Sequence, residues 1–176
     1  MTETRQVGDR IPQVTFKLRR DGAWLERHSD EIFRGRRVVL FALPAAFSPT
    51  CSARHLAGFV ALSKNIRAMG IDDICCLSVN DAFVMNAWAR DQGIDDEVTL
   101  LPDGNGDFTR QMGMLISRRD QGFGERSRRY AMLVEDGVIR ALFAEDHAAS
   151  SDPLAVSDAI TLLDHLDRQA RQAAAE

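Results

Sequence analysis

Residues 37–43, RVVLFAL, make an almost unbroken apolar run of strand length. A half-exposed strand alternates apolar and polar positions; this run offers no polar face, so it reads as a central strand covered on both sides. A second such run, ICCLSV at 74–79, follows after a stretch of helical pattern. Within that stretch, residues 49–69, the apolar positions Leu56, Phe59, Val60, Leu62, Ile66 and Met69 largely share one face. Two buried strands joined by an amphipathic helix predict a βαβ unit with parallel strands.

The flanking pattern extends this unit. VTFKL (14–18) and AWLER (23–27) flank Arg20-Asp21-Gly22 and predict an opening hairpin. Asn80-Asp81 ends the second run, with Asp81 placed to cap a helix over 82–92. VTLL (98–101) predicts a third strand, closed by the turn formers of 102–106, and a short helix follows around 107–114. YAMLVE and VIRALF, joined by Asp136-Gly137, make the clearest hairpin. A last amphipathic helix spans 155–173 with Val156, Ile160, Leu163 and Leu166 inward, and the terminal AAAE is expected to fray. The sum is an α/β fold, a thioredoxin-like three-layer sandwich whose mixed central sheet is flanked by helices. With 176 residues and no repeats, linker or low-complexity stretch, the chain fits a single domain over 1–176.

Composition narrows the function classes. At 45% hydrophobic and 27% charged this is an ordinary globular chain, and a net charge of -4 argues against a broad nucleic-acid footprint. The basic segment 118–129 sets five arginines against Asp120 and Glu125, and most of these arginines read as a solvated loop. The opening residues are polar, without the apolar stretch of a secretory signal, and no run of about 18 apolar residues exists. A cytoplasmic location and no membrane association are therefore expected. Three cysteines, two of them adjacent, do not suggest a disulfide framework. His28, His55, His147 and His165 are scattered without zinc-type spacing, so no metal is expected.

The chemistry concentrates where the first core strand meets its helix, at Pro44-Ala45-Ala46-Phe47-Ser48-Pro49-Thr50-Cys51. Pro49 suits the first helical position, because its missing N–H would have no partner there. Ser48 then falls at the N-cap and Cys51 in the first turn, where unpaired N–H groups and the helix dipole favour an anion. A thiolate is stabilised there over the thiol, and the same N–H groups can hold the oxygen of an approaching peroxide. Ser48, capping from i to i+3, would set its hydroxyl beside the sulfur. A lone cysteine can equally be a small buried hydrophobe, and the residues alone leave both readings of Cys51 open. Cys75 and Cys76 lie inside a buried strand and read as core fillers on opposite faces, although Cys76 could in principle reach Cys51. His55, one turn after Cys51, either adds positive charge near the sulfur or serves as a hydrogen-bonded structural histidine.

The stretch P-x-x-x-S-x-x-C, followed by SARHLAGF, resembles the active-site signature of the peroxiredoxins, usually P-x-x-x-(Thr/Ser)-x-x-C. FALPAAFSPTCSARHLAGFV, CLSVNDAFVMNAW, LLPDGNGDFTRQMGM and RSRRYAMLVEDGVI together resemble the branch containing the type-five and plant type-two enzymes. With the opening VGDRIP the resemblance covers nearly the whole chain. It implies that Cys51 attacks the peroxide and becomes a sulfenic acid, and that Pro44 shields the sulfur. It also implies that Ser48, where Thr is commoner, hydrogen-bonds thiolate and peroxide. Arg129 would orient the peroxide, with Arg128 its chief rival. No haem, metal or other cofactor is implied.

Some members of this branch resolve the sulfenic acid with a cysteine near the C-terminus; residues 144–176 contain none. The resemblance then implies a one-cysteine cycle with an external thiol, glutathione with glutaredoxin ahead of thioredoxin, in what is often a homodimer. A general thiol-disulfide oxidoreductase is disfavoured, since Ser48 stands where a Cys-x-x-Cys partner would be. A peroxide sensor that reacts once without turnover shares the same first step. A catalytically dead binding domain is argued against by the joint presence of Pro44, Ser48, Cys51 and Arg129.

Overall fold

The computed structural model describes residues 2–148 and 152–176. Its centre is a five-stranded sheet made of β3 (Arg37–Ala42), β4 (Asp73–Ser78), β5 (Thr99–Pro102), β8 (Tyr130–Glu135) and β9 (Val138–Ala144), in the order β5-β4-β3-β8-β9. β3, β4 and β5 are parallel, while β8 runs antiparallel to β3 and β9 antiparallel to β8. The mixed sheet follows from the connections: helical crossovers give parallel neighbours, and the two-residue turn Asp136-Gly137 gives an antiparallel pair. Both turn residues have positive φ, 47° and 74°, as a tight hairpin turn requires.

Successive residues of each strand feed two cores. Val39, Phe41, Cys76 and Leu133 pack on one face with α2 (Ala57–Ala61), α3 (Ser63–Ala68), α4 (Ala82–Asp91) and α6 (Ala159–Ala174). Leu40, Cys75, Leu77 and Met132 pack on the other, with α1 (Ser29–Phe33), α5 (Asp107–Gln111) and the hairpin of β1 (Thr15–Arg20) and β2 (Ala23–His28). Helices therefore lie over both faces, as the continuous apolar runs demand. Among the described residues, no helix is long and apolar enough to cross a membrane.

Four expectations need correction. The helix expected over 49–69 is not continuous. It opens with two helical residues, runs as a π-helix through Cys51–Leu56, and is interrupted at Leu62, whose φ and ψ of -100° and 8° leave the helical region. The last helix begins at Ala159, not 155, because Asp158 accepts from the Thr161 N–H (2.8 Å) and caps it there. Its inner face carries Ala159, Leu162 and Leu166, with the expected Leu163 partly buried against the same core, whereas Val156 and Ile160 are exposed, Ile160 at 65%. Of the terminal AAAE, expected to fray, Ala173 and Ala174 belong to α6. Finally, the basic segment is not a plain solvated loop: β6 (Leu115–Ser117) pairs with β7 (Glu125–Ser127), and the last arginine of the segment, Arg129, is buried.

Candidate active site

The parallel strands β3 and β4 end on the same edge of the sheet, so the loop after β3 emerges beside the loop after β4. That edge is where α/β folds form their sites. Asn80, just past β4, holds the two loops together. Its Oδ1 accepts from the Ala46 N–H (3.2 Å) and from the Ser78 hydroxyl (2.6 Å). Phe47 then takes a left-handed φ of 68°, a conformation unfavourable for a bulky side chain, and its ring is half exposed. This turn reverses the chain before helix entry. Pro49 is the first helical residue, and the Ser48 carbonyl accepts the first helical bond from Ser52 N–H (2.9 Å). The Ser48 hydroxyl does not cap forward onto Cys51. It donates backward to the Ala45 carbonyl oxygen (3.0 Å), which the left-handed turn brings within reach.

Cys51 opens the π-helix and is fully buried. A π-turn widens the helix by one residue and recurs at functional sites; here it sets His55 against the same pocket as the sulfur. Trp88 of α4 fixes the neighbouring residue, donating its indole N–H to the Ser52 hydroxyl (3.0 Å). Pro44, two residues past the end of β3, is buried.

Arg129 arrives from the opposite side of β3. Ala42, the last residue of β3, pairs with Tyr130, the first of β8, so the residue before β8 necessarily sits above the exit of β3. Its Nη2 donates to Cys51 Sγ (3.2 Å) and its Nη1 to His55 Nδ1 (3.0 Å). Arg128 faces elsewhere and donates to the Glu145 carbonyl oxygen (3.4 Å). Of the two adjacent arginines, only Arg129 is brought to the sulfur.

His55 is the residue that sequence reasoning left unresolved. Its Nε2 lies 2.9 Å from the Ser157 carbonyl oxygen, which can only accept, so Nε2 carries the proton and Nδ1 is the acceptor for Arg129. Burial, and then the adjacent Arg129, push its pKa from 6.5 down to about 3. His55 is thus a neutral strut for the guanidinium rather than an added positive charge. Ser157 is itself held by Glu145, whose Oε1 accepts from three successive backbone N–H groups, Ala155 to Ser157, and from the Ser157 hydroxyl.

Two further residues escaped sequence reasoning. Glu145 and Asp152 look like ordinary loop acids, and nothing in their spacing connects them to a cysteine a hundred residues earlier. Yet Asp152 accepts from Arg129 Nε (3.2 Å, Oδ1) and Nη2 (2.6 Å, Oδ2). The other two cysteines remain free thiols in the cores, Cys75 on one face of the sheet and Cys76 on the other, the latter in the same cluster as Cys51. Burial pushes both thiols well above the ordinary range, Cys75 with help from Asp73 and Cys76 with help from Cys51. Among the described residues, no group of three or more His, Cys, Asp or Glu is placed to hold a metal ion.

The chain is similar to known proteins in sequence and in fold. The family model described as Redoxin matches residues 6–163. Peroxiredoxin sll1621 from Synechocystis sp. is 48% identical over 170 residues, which is 90% of this chain and 89% of that protein. Hybrid peroxiredoxin hyPrx5 from Haemophilus influenzae is 46% identical over 162 residues; these cover 92% of this chain, which thus spans 66% of that longer relative. Reduced Prx3 from Vibrio vulnificus, solved in complex with hydrogen peroxide, superposes with a TM-score of 0.87 at 36% identity, over 95% of this chain and 99% of that one. The chain belongs to the Redoxin family and, within it, to the peroxiredoxins, the thiol-dependent peroxidases.

Proposed function

We propose that this protein reduces hydrogen peroxide and organic hydroperoxides through a Cys51 sulfenic acid that an external thiol recycles. The observation that carries the reading is the buried Arg129 guanidinium donating to Cys51 Sγ at 3.2 Å, at the start of a helix. A fixed positive donor beside the sulfur is positioned to hold the attacking sulfur in place and to meet the negative charge that develops on the departing oxygen. The thiolate attacks one peroxide oxygen; the S–O bond forms as the O–O bond breaks, and the other oxygen leaves as water or an alcohol after taking a proton. Sulfur loses two electrons and the peroxide gains them. Ser48, whose proton is committed to the Ala45 carbonyl, offers its oxygen lone pairs to the peroxide O–H. Pro44, buried where the loop leaves β3, helps keep water from the sulfur.

Glutathione with glutaredoxin is the preferred reductant, ahead of thioredoxin. The glutathione thiolate attacks the sulfenic sulfur, releasing water and leaving a mixed disulfide, which a second thiol opens. No bound cofactor takes part. A homodimeric state is carried over from the family resemblance.

The test is peroxide consumption by the pure protein, with glutathione, glutathione plus glutaredoxin, or thioredoxin supplied separately. Cys51→Ser should abolish turnover, while Cys75→Ser and Cys76→Ser keep most of it. Arg129→Gln should slow Cys51 oxidation by about 100-fold, in the range seen on removing one charge-stabilising donor, with a smaller effect from Arg128→Gln. Substantial turnover by Cys51→Ser would end this reading. A single oxidation with no recycling by any of the reductants would favour the sensor.

A further inference from the structure

The arginine that serves Cys51 also serves a second anion. Arg129 is buried, its side chain 2% exposed, and its donors are distributed with little left over: Nη1 to His55, Nη2 to both Cys51 Sγ and Asp152, Nε to Asp152. Asp152 grips the guanidinium with both carboxylate oxygens, and its own side chain remains 43% exposed. Asp152 is therefore the part of this cluster that faces solvent.

The charges follow directly. His55 is neutral, since burial and the adjacent Arg129 push it down to about 3. Once Cys51 is ionised for attack, Arg129 faces two anions, the sulfur and Asp152, and the four side chains together hold one net negative charge. A molecule reaching the sulfur meets that charge just as Cys51 is ready to react.

We propose that Asp152 sets the charge selectivity of this site, favouring neutral oxidants such as hydrogen peroxide and uncharged alkyl hydroperoxides over anionic ones such as carboxylate-bearing hydroperoxides. This rests on the peroxidase reading above and names its substrate class. Asp152 acts through Arg129 and through its own field, without touching the reacting oxygen. The discrimination belongs to the oxidation step, because the thiolate charge is gone once the sulfenic acid has formed. Reduction by glutathione, itself anionic, meets a cluster without net charge.

The experiment compares alkylation of Cys51 by iodoacetate and by iodoacetamide, two electrophiles of similar size that differ by one negative charge. In both the thiolate displaces iodide, a C–S bond replacing the C–I bond, so any change in the thiolate population cancels in the ratio of rates. Peptide mass spectrometry reads Cys51 alone. In Asp152→Asn, which keeps the shape and one accepting oxygen, the iodoacetate-to-iodoacetamide ratio should rise roughly 3- to 10-fold, the size expected for one partly screened charge a few ångströms away. The rise should shrink in high salt, and Asp152→Glu should retain the wild-type ratio. Oxidation by carboxylate-bearing against neutral hydroperoxides should shift in the same direction. An unchanged ratio in Asp152→Asn, both rates moving together, would mean that Asp152 only props Arg129 and would overturn the proposal; so would an equal rise in Asp152→Glu. Alkylation needs no peroxide turnover, so failure of the peroxidase reading and failure of charge selection are separate results.

Discussion

Burial and the Arg129 guanidinium push His55 from 6.5 to about 3, and this has a measurable consequence for stability. The unfolded chain takes up a proton on this imidazole as the pH falls through 6.5, while the folded protein does not until about 3. The stabilisation is therefore fully present above 6.5 and is lost progressively as the pH drops through that window. From about pH 7 to about pH 5 the loss from this one group is about 2 kcal/mol. His55→Gln, which can neither titrate nor hold both contacts, should be less stable at neutral pH but should lack this component of the acid sensitivity. Urea unfolding of both proteins across the range checks it, and parallel pH curves would contradict the assignment. At this scale Cys51 and Arg129 were visible from the motif, but the state of His55 was not. Its neutrality is fixed by burial and by Arg129, and its tautomer by the Ser157 carbonyl, none of which can be read from the residue's place one turn after Cys51.

Elements hold the site through their ends. α4 is capped by Asp81, whose carboxylate accepts from the Val84 N–H (2.9 Å), and one turn or two later it delivers Met85 and Trp88 into the core. Trp88 in turn donates to Ser52, so the register of α4 helps place the residue next to the reactive cysteine. Asp81→Ala should cost about 1 kcal/mol of global stability, the usual loss for an N-cap. A thermal or urea melt reads the loss, and an unchanged midpoint would show that the cap is dispensable. This helix was legible because its signals are local: a capping acid, then apolar positions at helical spacing. The π-helix at Cys51–Leu56 was not legible, because the same residues satisfy an α-helical pattern equally well. What selects the wider turn is packing, with Cys51, His55 and Leu56 all buried against the sheet. The misassigned inner face of α6 has a similar origin. Val156 and Ile160 fit a helical stripe, but the Asp158 cap starts the helix late and turns that stripe outward. The three-residue strands β6 and β7 and the five-residue helix α1 are too short for periodicity to reveal.

Across the whole molecule, the sheet order decides how the catalytic cycle can close. Cys76 lies in β4, between β3 and β5, as a buried thiol that its surroundings hold protonated. A protonated thiol is a poor nucleophile, and drawing Cys76 out would open a core strand, which costs up to the global stability. One equivalent of peroxide followed by glutathione should therefore give a mixed disulfide on Cys51, with Cys75 and Cys76 still reduced. Intact-mass and peptide mass spectrometry would show it; rapid, near-complete Cys51–Cys76 bonding before glutathione is added would replace the one-cysteine cycle with an internal one. The sequence by itself determined the buried strands, the Asp136-Gly137 hairpin, the α/β class and the candidate cysteine, because continuous apolar runs, turn residues and helix starts are written in neighbouring residues. Only the tertiary structure decided that β8 lies beside β3. That pairing sets Arg129 rather than Arg128 over Cys51, and brings Asp152 and the Glu145-held Ser157 to the same guanidinium and its histidine. Contacts between residues 74 and more positions apart in the chain depend on which strands share a sheet edge, and no local pattern encodes that.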